Sequence, residues 1–163
     1  EMDKAMSTQL YDVLDVVGRR FQEVFSQLFG GGTAQIVLTD PDNILTGGID
    51  FYIQPPGKKR QQLTLLSGGE RALTVIALLF SFLDYRPAPF CVLDEVDAAL
   101  DEANVERFSS YLNRINKETQ FIVVSHRKKT MEAAEVLQGV TMVERGVSRL
   151  LTVAFEDVKE DLA

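Results

Sequence analysis

Four short runs combine residue types and spacing that do chemistry. The first is Ser67-Gly68-Gly69-Glu70, placed where a loop is expected to become a helix. The first N–H groups of a helix have no partners within it. Glycines let an anion approach them, and the helix dipole favours negative charge there. The Ser67 hydroxyl adds a donor. The same residues also read as an ordinary helix start, with Ser67 as N-cap and Glu70 completing a capping box. The second run, Phe90-Cys91-Val92-Leu93-Asp94-Glu95, is an apolar strand ending on two carboxylates. In nucleotide hydrolases an aspartate so placed holds Mg²⁺, usually through water, and the following glutamate polarises the attacking water. From Asp94 to Glu106 there are six carboxylates and no Lys or Arg, an excess that calls for a cation or a solvated rim. A strand that merely stops at a polar turn is the bland alternative. The third run is the turn Ala98-Ala99-Leu100-Asp101. The fourth is His126, the only histidine, directly after Phe121-Ile122-Val123-Val124-Ser125. At the end of a strand beside that of Asp94 it would reach a phosphate, with a charge that varies near neutral pH. A structural or simply exposed histidine is the other reading. Arg127, Lys128 and Lys129 read as a solvated first turn, with a phosphate-facing role left open.

The elements that must position these residues follow from periodicity. From Leu10 to Phe29 the apolar residues step by three and four, which predicts an amphipathic helix closed by Gly30-Gly31-Gly32. It is either an ordinary surface helix or the stub of a longer coiled coil. Strands are expected at Ala34–Thr39 and Gly48–Gln54, the second with alternating wet and buried faces, around the turn Asp40-Pro41-Asp42-Asn43. The basic loop Pro55-Pro56-Gly57-Lys58-Lys59-Arg60 reads as solvated, with a DNA contact as the alternative. Beyond it come a helix from Gly68 to Leu83, a continuous buried strand at Phe90–Leu93, a helix from Glu102 to Asn116 and a second buried strand at Gln120–Val124. A short helix, Lys128–Leu137, leads to a hairpin of Val140–Glu144 and Ser148–Phe155, turning at Arg145-Gly146. Buried strands separated by helices indicate a parallel α/β sheet. The acidic tail Glu156–Ala163 is expected to fray.

Composition sets outer bounds. With 163 residues, 45% of them hydrophobic, the chain suits one domain with its own core. No run is long enough to span a membrane. One cysteine, Cys91, excludes an internal disulfide framework and fits a reducing, cytosolic compartment. The net charge of −7 gives no long-range attraction to nucleic acid or to an anionic membrane, so any DNA contact needs a local patch or another part of a complex.

In their order and spacing the four runs resemble the ATP-binding-cassette ATPases. Ser67-Gly68-Gly69-Glu70 matches that family's signature, Asp94 and Glu95 its Walker B pair, Asp101 its D-loop and His126 its switch histidine. Transporters of the superfamily carry Gln where Glu70 stands and Pro where Val96 stands. Leu66 to Ala77, Asp94 to Asp101 and Val124-Ser125-His126-Arg127 look instead like the bacterial type of the SMC (structural maintenance of chromosomes) family. The resemblance runs from Phe21 to Phe155. One departure matters: no Gly-x-x-x-x-Gly-Lys-Ser/Thr occurs in the chain. In the SMC family that Walker A loop lies in an N-terminal segment, brought back by an antiparallel coiled coil.

The resemblance therefore implies the C-terminal half of a P-loop ATPase head, a parallel sheet flanked by helices. Residues 1–29 would form the returning coiled-coil or neck helix, and 30–163 the C-terminal lobe. It implies ATP and Mg²⁺ sandwiched between two heads, with Asp94 helping to hold the metal, Glu95 as general base and His126 sensing the γ-phosphate. Ser67, Gly68 and Gly69 would contact the γ-phosphate bound to the partner. Implied partners are the N-terminal lobe, a second head, a kleisin subunit and, through the whole complex, DNA in the nucleoid. A repair ATPase of the RecN type is the nearest rival, and a non-catalytic relic that recruits a partner is the rival from another class.

Overall fold

The computed structural model describes residues 2–115 and 118–154. It opens with a long helix, α1 (Met2–Phe29), that starts well before the expected Leu10. Val17, Phe21, Val24, Phe25, Leu28 and Phe29 are buried in its second half, whereas Met2, Met6 and Tyr11 are exposed. The helix is therefore anchored by its C-terminal turns. It ends in the glycine run, where Gly32 has φ +86 and an added Cβ would lie 2.3 Å from the Gln54 carbonyl oxygen. Only glycine allows both the left-handed turn and that approach.

The chain then forms β1 (Thr33–Leu38) and β2 (Ile49–Gln54), antiparallel from Thr33↔Gln54 to Leu38↔Ile49, and a two-residue strand β3 (Gln61–Gln62) beside β2. The turn between β1 and β2 is a 3-10 turn at Pro41–Asn43, capped by the Asp40 carboxylate. Helix α2 (Gly68–Tyr85) packs on α1. The strand β4 (Phe90–Asp94), the helix α3 (Glu102–Ile115) and the strand β5 (Gln120–Val124) form a βαβ unit whose strands pair in parallel, from Phe90↔Gln120 to Asp94↔Val124. Phe80 of α2 joins these layers. Its ring stacks 5.1 Å from Tyr111 and 6.1 Å from Phe108, and meets Phe121 edge-on at 6.0 Å.

Two strands expected to be buried throughout are buried on one face only. Leu93 is in the core, with Cys91, Phe121 and Val123 packed against it. Phe90, Val92, Ile122 and Val124 point the other way and are 58, 56, 48 and 50% exposed. The apolar run is legible in the sequence; what it does not encode is that the helices of this chain cover a single side of the β4–β5 pair.

Among the described residues the parallel arrangement is confined to that pair, as its helical crossover requires, and the other sheets are antiparallel. Helix α4 (Lys128–Glu132) is shorter than expected, because the chain is already extended at Val136 in β6 (Val136–Glu144). β6 pairs with β7 (Val147–Ala154) around Arg145-Gly146, so the β-branched valines go to cross-strand pairs. The tail Glu156–Ala163 lies outside the described residues. No described helix is long and apolar enough to cross a membrane.

Candidate functional site

Asp94 ends β4 opposite Val124 of β5, and the Glu95 N–H donates to the Val124 carbonyl at 2.9 Å. Glu95 then turns sharply, with φ +49, the one positive φ outside glycine among the described residues. A non-glycine residue in this region carries roughly 1–3 kcal/mol of strain, and such strain clusters at functional sites. The bend is held by Ala98 N–H to Glu95 O (3.0 Å) and Leu100 N–H to Asp97 O (3.1 Å). His126 follows β5 by two residues. Asp94, Glu95 and His126 are all exposed and leave adjacent parallel strands at their carboxyl ends, where ligands of α/β sheets bind. Two neighbouring carboxylates suit a hard cation. Among the described residues no three His, Cys, Asp or Glu side chains gather into a metal cage. That donor set fits Mg²⁺, which takes one or two carboxylates and completes its shell with phosphates and water.

Beneath this edge lies a network that the sequence does not reveal. Asp97 is fully buried, and its Oδ2 accepts from the Ser125 hydroxyl at 2.6 Å and from the Thr130 hydroxyl. Arg127, expected in a solvated turn, is instead half-buried. Its Nη2 donates to the carbonyls of Ala98 (3.2 Å) and Leu100 (3.0 Å), and its backbone N–H to Ser125 Oγ at 2.9 Å. A carboxylate flanked by small apolar residues, two hydroxyls near the next strand and a basic residue after it are the available signals. None has a spacing that announces the pairing. Asp101 plays a structural part, since its carboxylate accepts from Asn104 N (2.8 Å) and Nδ2 (3.1 Å) and so caps α3.

At the start of α2 the capping box is present. The Glu70 N–H donates to Ser67 Oγ at 3.4 Å, and Glu70 Oε2 accepts from Ser67 N at 3.2 Å and from the Ser67 hydroxyl at 2.7 Å. The other Glu70 oxygen takes the Lys58 ammonium at 2.8 Å. That bond, opposed by burial and aided by Ser67, holds the Glu70 carboxyl below the usual glutamate range. The basic loop is exposed from Pro56 to Arg60, as expected, while Lys58 ties it to α2 and Arg60 lies over the Tyr52 ring at 4.6 Å. Gly68 faces open space, whereas a Cβ on Gly69 would lie 2.8 Å from the Ala99 carbonyl oxygen. Ser67, Gly68, Gly69 and Glu70 are therefore joined to the strand-end turn through Ala99.

A family model described as the RecF/RecN/SMC N terminal domain matches residues 9–149. The chain is 58% identical over 160 residues to the chromosome partition protein Smc of Bacillus subtilis (strain 168), covering 98% of this chain and 14% of that protein. It is 55% identical over 161 residues to Smc of Desulfitobacterium hafniense (strain Y51), at 99 and 13% coverage. The chain thus spans about 14% of the length of the curated relatives it matches. Among solved structures it superposes with TM-score 0.85 and 35% identity on a chain from work on ATP-driven dimerization and DNA stimulated activation of SMC ATPases, covering 96% of this chain and 94% of that one. It also superposes, with TM-score 0.88 and 35% identity, on the Pyrococcus furiosus Smc head domain bound to the C-terminal domain of ScpA, covering 98% of this chain and 40% of that one. By fold and by sequence, the chain belongs to the RecF/RecN/SMC family.

Proposed function

We propose that the chain is the C-terminal lobe of an SMC head, which hydrolyses ATP at an interface between two heads to drive chromosome condensation and segregation. The observation that carries this reading is the joint emergence of Asp94, Glu95 and His126 at one sheet edge, with Glu95 fixed in a left-handed turn. The phosphate-binding loop comes from the N-terminal lobe, because these 163 residues hold no Walker A pattern. The bare apolar face of Phe90, Val92, Ile122 and Val124 is where that lobe extends the core. The exposed first turns of α1 continue into the returning coiled coil.

Asp94 is the carboxylate that would hold Mg²⁺, which when bound offsets phosphate charge. Glu95 takes the proton of the attacking water, and His126 donates to the γ-phosphate. Ser67, Gly68 and Gly69 cap the γ-phosphate held by the partner head. Ser67 must first turn its hydroxyl away from Glu70 Oε2, and the Lys58 ammonium, already on Oε1, keeps that carboxylate paired. Asp101 caps α3 and so fixes where the D-loop turn ends. ATP-driven dimerization of SMC ATPases and binding of Smc heads to ScpA support a second head and a kleisin as partners. With a net charge of −7, DNA is met through the whole complex, in the cytoplasm at the nucleoid.

Glu95→Gln in the assembled head tests the assignment. It should retain ATP binding and accumulate the ATP-bound dimer, while turnover falls roughly 10²–10⁴-fold. Near-normal turnover would remove Glu95 from the chemistry.

A further inference from the structure

Arg127 stands immediately after His126, yet it is half-buried and its guanidinium donates to backbone carbonyls. Its Nη2 bridges the carbonyls of Ala98 and Leu100, on either side of Ala99. The Ala99 carbonyl is in turn the group against which Gly69 rests, so closely that a Cβ there would lie 2.8 Å away. The turn is also pinned by Asp97, whose buried Oδ2 accepts from Ser125, two residues before Arg127, and from Thr130 within α4. The backbone N–H of Arg127 also donates to Ser125 Oγ, which locks the β5 end to the same network. A planar guanidinium that bridges two carbonyls through one nitrogen fixes both the height and the tilt of the peptide between them. A continuous, tightly packed path therefore runs from the His126 loop through the 97–100 turn to the N-terminus of α2.

We infer that Arg127 is a positioning residue that couples a head's own nucleotide site to the site on its partner. Movement of the His126 loop, on which Arg127 is carried, shifts the peptide of Ala99, and with it Gly68, Gly69 and Ser67. The inference rests on the reading of Ser67 to Gly69 as a cap over the partner's phosphate. Its consequence is specific: loss of Arg127 in one head impairs hydrolysis of the nucleotide held by the other.

The test uses mixed dimers of the full-length protein that carries this chain. One copy bears Glu95→Gln, so that a single site turns over, on the other copy. Adding Arg127→Ala to the Glu95→Gln copy should lower turnover on the unmodified copy about tenfold or more, the scale of a small misplacement of an aligned group. ATP affinity of each isolated copy should change less than about twofold. Arg127→Lys, with one ammonium in place of the fork, should recover part of the rate. It also carries the same test if Arg127→Ala melts early. Gly69→Ala, which leaves Arg127 in place but presses on the Ala99 carbonyl, should give the same loss in the same arrangement. Turnover on the unmodified copy that is indifferent to Arg127→Ala or Arg127→Lys on the capping copy overturns the coupling. So does a loss seen only when the substitution sits beside the nucleotide being hydrolysed. Ser67→Arg on the Glu95→Gln copy is the control for the cap. If turnover on the unmodified copy survives it, the cap reading fails; if turnover is lost with Ser67→Arg but not with Arg127→Ala, the coupling alone fails.

Discussion

At the scale of single residues, the structure gives several side chains of this site two roles, and the roles separate by measurement. Glu70 anchors the capping box and binds Lys58, which keeps its carboxyl below the usual range. A folded-state value below the unfolded one means stabilisation that is fully present above the ordinary glutamate pKa, about 4.3. That stabilisation is lost as pH falls through the folded value. Lys58→Met should therefore lower the melting temperature by a constant amount near neutrality, and the gap to the unsubstituted chain should narrow as pH falls below the ordinary glutamate value of about 4.3. A gap that widens in acid would contradict the assignment. Asp97 permits a sharper test. Asp97→Ala strips the buried Thr130 and half-buried Ser125 hydroxyls of their acceptor, at a cost of about 1–3 kcal/mol in urea unfolding. Asp97→Asn, which keeps one acceptor oxygen, should cost less than that. These residues are the illegible part of the site. Ser67, Asp94, Glu95 and His126 are visible in the sequence because each stands at the end of an element where its chemistry has a meaning. Asp97 and Arg127 act through contacts 27 to 33 residues away in the chain, which no local pattern specifies.

At the scale of elements, the apolar runs determine where strands and helices lie, and packing decides which faces are covered. The 3.6-residue period finds the buried half of α1, but its exposed first turns have too few buried positions to declare themselves. The runs Phe90–Leu93 and Gln120–Val124 read as buried because every residue is apolar or nearly so. In this chain one face of the pair is bare. Under the proposed function that face is the seat of the N-terminal lobe. Val92→Asp and Ile122→Asp should leave the melting temperature of the chain within a few degrees, because both side chains are about half exposed. Co-purification with a phosphate-binding lobe should be lost. A double variant that still assembles would show that the lobe docks elsewhere. By contrast Phe80→Ala, at the junction of α2, α3 and β5, should cost about 3–5 kcal/mol whether or not the lobe is present.

At the scale of the whole molecule, the proposed function makes this chain one half of a site. Nucleotide would be gripped by another lobe, hydrolysed over Asp94 and Glu95, and capped by Ser67 to Gly69 of a second head. The chain by itself should then show no heat of binding when titrated with ATP and Mg²⁺, and submillimolar affinity would contradict the split site. The trans cap is the claim on which the rest depends, and Ser67 tests it most directly, because the capping box gives this residue a structural role as well. As a helix cap alone, replacing it should cost about 0.5–2 kcal/mol and weaken every property in proportion. The decisive measurement is ATP-dependent head dimerisation of an assembled head carrying Ser67→Arg, taken with its melting temperature and single-head ATP affinity. A cap acting in trans predicts a modest loss of stability, unchanged ATP affinity, and failure of dimerisation and hydrolysis together. Dimerisation that survives, or ATP binding lost in step with stability, would contradict it.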